Sequence, residues 1–182
     1  MDSKINNKEI VSIVIDELEK RSIIKKNYST YKNTEIILYD YPKLKDTIVE
    51  RKEQIKELKD YGIPNKSKSI TSISTNSFRQ DADDIIEQSI KNLNKDIYKT
   101  EVIINFIDRI LNKFKDDPYI SVIKLYYFEN KTHEQIAELY DQKKKASRPT
   151  APTTIANNKY RLVKELQKYI FPNDYLYNLL GY

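Results

Sequence analysis

Apolar residues recur along this chain at intervals of three and four, and no convincing run alternates with a period of two. Ile10, Val11, Val14, Ile15 and Leu18 form one stripe within a first predicted helix of about 6–26. After a short polar link, 27–33, the positions Ile37, Tyr41, Leu44, Ile48, Ile55 and Leu58 follow a heptad-like seam interrupted only by Arg51. Pro42 lies early in that pattern, so the second helix starts either directly after the link or nearer Tyr41, and Gly62 and Pro64 stop it. The expectation is an N-terminal helical hairpin over 1–64.

The stretch 65–80 is rich in Ser, Thr, Asn and Lys and holds no helical period, so it reads as a linker or loop. A long helix is predicted over 81–117, where Ile86, Ile90, Leu93, Ile97, Thr100, Ile104, Ile107, Leu111 and Phe114 keep the three-four alternation without a slip. Such a helix is roughly 50 Å long. Its seam needs a partner, either the Tyr41–Leu58 helix of the same chain or its own copy in a homodimer. Thr100 within the seam favours the looser intramolecular packing. Asp81, Asp83 and Asp84 at its head suit the helix macrodipole better than a metal.

Asp116, Asp117 and Pro118 end this helix and begin a C-terminal domain over 118–182. A short helix from Tyr119 to Phe128 offers Ile120, Ile123, Leu125 and Tyr127 for packing, and Glu129-Asn130-Lys131 breaks it. Thr132-His133-Glu134-Gln135 is a capping box that opens a second helix. There Ile136, Leu139 and Tyr140 are apolar, and Ala137 is small enough for a close helix crossing. A third helix is predicted to open at Thr150 or Ala151 with Pro152 in its first turn. Its inward face is Ile155, Leu162, Val163, Leu166 and Ile170. The fold class is all-α.

Charge sharpens this picture. The chain of 182 residues carries a net charge of +5, and from Pro118 onward ten Lys/Arg stand against six Asp/Glu. Between Gln142 and Lys168 eight bases face one acid, Glu165, a local field that attracts polyphosphate. The outer face of the third helix offers Thr153, Thr154, Asn157, Asn158, Arg161, Lys164 and Lys168. Asn pairs with adenine edges, Thr touches thymine methyls or phosphate, and Arg and Lys anchor the backbone or read guanine. Polar residues concentrated over the first half suit a helix entering the major groove N-terminus first.

Other chemistry is poorly supplied. With no Cys and one His the chain lacks thiolate or His-cluster metal sites and a Ser-His-Asp triad. The two glycines, Gly62 and Gly181, make no phosphate-cradling loop. No catalytic residue, metal or cofactor is expected. No apolar run approaches the length of about 18 residues that spans a bilayer, and no signal pattern opens the chain, which predicts a cytoplasmic protein. Tyr126, Tyr127, Tyr160 and Tyr169 read as core or interface residues.

The string VIKLYYFENKTHEQIAELY resembles the paired helices of region 4 of bacterial sigma factors, with Gln135 where Glu is commoner, and TTIANNKYRLVKEL resembles that family's groove helix. With YKNTEIILYDYPKLKDTIVERKEQIKEL upstream, the chain is similar to phage-type late transcription regulators of the ArpU-like and RinA-like group. The resemblance implies duplex DNA as partner, with base or phosphate contact by Thr153, Thr154, Asn157, Asn158 and Arg161 and phosphate-facing positions at Thr132 and His133. His133 reads equally as a plain surface residue. Lys164 and the basic residues Lys143, Lys144, Lys145 and Arg148 complete the candidate set. The interval 141–149 is longer than the usual turn of this motif: either it is a wing-like basic loop, or the third helix sits in another register. RNA polymerase is a further candidate partner. A sigma-like factor acting only within polymerase, a small terminase subunit and a helical protein–protein adaptor are the rival readings.

Overall fold

The computed structural model describes residues 7–62, 82–144 and 149–172. Its elements are α1 (Asn7–Lys20), α2 (Thr30–Tyr61), α3 (Ala82–Asn112), α4 (Ile120–Ile123) continuing into a π-helical turn (Lys124–Phe128), α5 (His133–Lys144) and α6 (Pro152–Ile170). No strand occurs among the described residues, so the fold is all-α. Two compact units form, Met1–Lys43 with Val102–Tyr182, and Leu44–Glu101. These units divide α2 and α3 within their lengths, whereas the linker pattern divides the chain between helices.

In the 44–101 unit the later part of α2 and the earlier part of α3 run antiparallel. Arg51 Nε meets Asp96 Oδ2 at 3.2 Å and Lys52 Nζ meets Glu101 Oε1 at 3.9 Å. The seam of α3 therefore has an intramolecular partner here. Thr100, inside the seam, is fully buried and donates its hydroxyl to the Asp96 carbonyl at 2.8 Å, which satisfies it locally. Gly62 closes α2 with φ +72°, the left-handed conformation natural to a residue without Cβ, and its N–H reaches the Leu58 carbonyl at 3.1 Å.

The other unit has a deeper core. Val14 and Leu18 of α1, Ile24, and Ile37, Leu38 and Tyr41 of α2 are buried in it. From α3, Ile103, Phe106 and Ile110 are buried as well as Ile104 and Ile107, so helix neighbours cover two faces where the seam pattern marked one. The Tyr41 hydroxyl donates to Asp108 Oδ1. Burial, and then that bond, raise the Tyr41 phenol above its ordinary range.

Two boundaries differ from expectation. Helix α1 ends at Lys20 rather than near 26, and Ser22 adopts φ 57° in the turn beyond it. Helix α2 starts at Thr30, ahead of both expected starts, and carries Pro42 in its interior. Ser29 sets that start, its Oγ accepting from the Lys32 amide at 3.2 Å. The bond that Pro42 removes costs about 3 kcal/mol at an exposed site. Here Ile37, Leu38, Tyr41 and Leu44 are all buried around it, and their packing keeps the helix continuous.

Among the described residues no helix is long and apolar enough to cross a membrane, and no group of three or more His, Cys, Asp or Glu is arranged to hold a metal ion.

Candidate nucleic-acid interface

The C-terminal helices are positioned by their own short-range chemistry. Asp117 Oδ1 accepts from the Tyr119 amide at 2.9 Å and starts the α4 turn. Beyond Ile123 the backbone widens into the π-helical turn, which the sequence reading treated as ordinary helix. Its exit is fixed by Glu129 N–H to Lys124 O at 3.1 Å, Lys131 N–H to Leu125 O at 3.0 Å, and a left-handed Asn130 with φ 52°. The capping box then forms as expected. The Gln135 amide donates to Thr132 Oγ1 at 3.3 Å, and the Thr132 amide donates to Gln135 Oε1 at 3.0 Å.

Val122, Ile136, Ala137, Tyr140 and Ile155 form one buried cluster, with Tyr119, Leu125 and Tyr126 packed on it. Ala137 is thus the small residue at the crossing. Tyr140 stacks on Tyr119 at 5.5 Å, and its hydroxyl lies 2.6 Å from Ser121 Oγ. Helix α6 opens at Pro152 in the expected register, and Ile155, Leu162, Val163, Leu166 and Ile170 are all buried. Helix α5 absorbs Lys143 and Lys144 into its last turn. Lys145 and Arg148 lie outside the described residues. Beyond them the Thr150 amide donates to Asp141 Oδ1 at 2.7 Å, tying the start of α6 back to α5.

The outward residues of α6 fall into two groups. Thr153, Asn157 and Lys164 are exposed. Thr154 and Asn158 are half-buried, and Asn158 is held within the helix. Its Nδ2 donates to the Thr154 carbonyl at 2.9 Å, while its Oδ1 accepts from Arg161 Nε at 3.3 Å. Arg161, though exposed, pairs with Asp117 at 2.9 Å. Tyr160, read from sequence as core or interface, is 49% exposed beside this column, and Lys164 Nζ lies over its ring at 4.8 Å. The helical spacing of 157, 160, 161 and 164 was the signal for it.

Behind α6 lies a polar network that the sequence reading missed. Lys159 was counted with the basic field, yet its side chain is 14% exposed and meets Glu35 Oε1 at 3.7 Å. Its ammonium sits 4.3 Å from the centre of the Tyr126 ring. Tyr127, fully buried, donates its hydroxyl to the same Glu35 oxygen at 2.8 Å. Burial, then that bond, raise the Tyr127 phenol far above its ordinary value, so it stays a donor. His133 stacks on Tyr126 at 4.9 Å, and its Nε2 is buried with no hydrogen-bond partner among the described residues. Burial, then Lys159, lower the imidazole below its usual 6.5. Thr132 beside it is exposed.

On the other edge of α6, the Tyr31 and Tyr160 rings lie 5.3 Å apart, and Gln167 Nε2 donates to Thr30 Oγ1 at 2.6 Å. The Tyr31 phenol is pushed up to about 12 by burial and then by Glu35. The start of α2 is thereby docked along the exposed column. Set against protein-family models, curated proteins and solved structures, the chain finds no match in any of the three.

Proposed function

We propose that this chain is a sequence-specific DNA-binding transcription regulator of the phage or prophage late-gene type, a cytoplasmic protein that carries α6 into the major groove of promoter DNA. The observation that supports it is the division of α6: five apolar residues seal one face, while Thr153, Asn157 and Lys164 stand exposed on the other from a helix of fixed register. Asn157 and Thr153 read base edges, Lys164 and Thr132 hold phosphate, and Arg161, kept in place by Asp117 and Asn158, contacts phosphate or guanine at the rim. Its role is binding and recruitment, with RNA polymerase as the protein partner and no catalytic step, metal or cofactor.

Selection of duplexes from a random library, followed by competition binding, tests this. An enriched motif is expected. Asn157→Ala should reduce discrimination against altered bases by about 1–3 kcal/mol while keeping affinity for unrelated duplex. Failure to enrich any motif, with RNA polymerase absent or present, would sink the proposal.

A further inference from the structure

Between Lys20 and Thr34 the chain holds five bases, Lys20, Arg21, Lys25, Lys26 and Lys32, and no acid. From pattern alone the first part of this connection reads as the end of the first helix and only the part from Asn27 as a polar link. Its charges are unequally committed. Arg21 is bound to Glu17 at 3.0 Å. Lys26 reaches Glu19 only at 3.7 Å, and Lys32 reaches Glu35 only at 3.9 Å, with side chains 84% and 57% exposed. Lys25 lies over the Tyr28 ring at 5.3 Å, and among the described residues no carboxylate pairs with it. Exposed pairs of that length contribute little, so these lysines exchange their partners for phosphate at small cost.

The connection is also held in one shape. The buried Asn33 grips the backbone of Lys25 from both sides, its Nδ2 donating to the carbonyl at 2.9 Å and its Oδ1 accepting from the amide at 3.0 Å. The Ile23 amide returns to the Leu18 carbonyl at 3.0 Å. This shape is fastened to α6 through Tyr31–Tyr160 and Thr30–Gln167. Around the α6 axis, Tyr160 and Gln167 lie on one side of the Asn157–Lys164 column, and Arg161 with its partner Asp117 lies on the other. A helix in the major groove has a phosphate backbone along each side.

We infer that the α1–α2 connection is a second phosphate-binding surface, a basic shoulder on which Lys25, Lys26 and Lys32 grip the DNA backbone on the Tyr160 side of the groove that α6 enters. This rests on the DNA-binding reading of α6. The opposite edge carries Asp117, whose charge Arg161 offsets, whereas the shoulder holds no acid between Lys20 and Thr34.

The test is the salt dependence of binding to a random-sequence duplex, measured for the full chain. Replacing Lys25, Lys26 and Lys32 together by Ala should lower the slope of log affinity against log salt by about two to three and weaken binding roughly tenfold or more at moderate salt. The melting temperature should hold, because all three side chains are exposed. A control that removes equal charge from the hairpin, Lys56, Lys59 and Lys91 to Ala, should leave the slope unchanged. A wild-type slope in the shoulder variant, alongside a reduced slope for Lys164→Ala, overturns the shoulder alone. An equal loss in the control overturns it too, as an effect of net charge. Absence of salt-dependent binding by the wild type removes the α6 reading and the shoulder together.

Discussion

The helices around α6 and the hairpin of 44–101 carry apolar repeats of similar regularity, yet they bury them to different depths. Around α6 Ile155 packs in one cluster with Val122 of α4 and Ile136, Ala137 and Tyr140 of α5, and none of Ile155, Leu162, Val163 and Leu166 keeps more than a trace of exposure. In the hairpin, Ile48, Ile55 and Leu58 of α2 and Ile86, Ile90 and Leu93 of α3 remain half-buried. Two helices side by side cover only one stripe on each, while a third and fourth close the remaining angles. A regular repeat therefore specifies that a face is to be covered, and the number of surrounding elements decides how well. The largest expected effect follows from this difference. Ile155→Ala should cost about 2–5 kcal/mol, since its fully enclosed site cannot collapse, and Ile90→Ala well under half as much. Urea melts of both variants check this; equal costs would show the hairpin seam to be as fully covered in solution as the α6 core.

Polar burial separates the same two regions. The hairpin's ion pairs are at least a third exposed, whereas Glu35 serves both Lys159 and Tyr127 with its side chain 16% exposed. Glu35→Ala strands a buried cation and a buried hydroxyl together and should cost about 2–4 kcal/mol, while Arg51→Ala in the hairpin should cost about 1 kcal/mol or less. Adding Lys159→Met to Glu35→Ala should restore part of the loss, because the remaining alkyl chain still packs on Tyr126. A double variant no more stable than the single one would show that the hydroxyl of Tyr127, not the cation, carries the penalty.

A smaller effect belongs to the end of the hairpin's first helix. Gly62 holds φ +72°, and a Cβ added there would meet nothing nearer than Ile86 Cδ1 at 3.7 Å. Space is available, so Gly62→Ala should cost only the left-handed backbone penalty, about 1 kcal/mol. Gly62→Asn, a residue that tolerates this region, should cost less. Equal costs for the two would place the penalty in side-chain crowding.

What could be read in advance follows from the range of the interactions. The inward face of α6, Ala137 at the crossing and the Thr132–Gln135 box are set by residues within a turn or two, and each stands where the pattern put it. The start of α2 was not legible because Pro42 is a strong local signal that distant packing overrode. The π-helical turn has no periodic signature in five residues. Lys159 and Glu35 are far apart in sequence, so nothing local marks Lys159 as turned inward while its neighbours Asn157 and Arg161 face out. On the outer face the residue types were legible, but the hold of Asp117 on Arg161 and of Tyr31 beside Tyr160 depends on how the helices dock.

His133 gives the finest probe of the contrast, because its imidazole stacks on Tyr126 beside the buried network. Lys159 disfavours its charged form and Glu134 opposes that weakly, after burial, which is the larger cause. Its folded pKa lies below the usual 6.5, so the unfolded chain takes up the proton first as the pH falls. The stabilisation is complete above the unfolded value and is lost progressively on descending from there through the folded value. The clean measurement is the stability of the wild type minus that of His133→Gln, which cancels every group common to both. That difference should move against the wild type as the pH falls through the ordinary imidazole range near 6.5. A difference flat with pH would place the imidazole in water, free of Tyr126 and Lys159; one that moves in favour of the wild type on acidification would place a carboxylate, not an ammonium, as its governing neighbour.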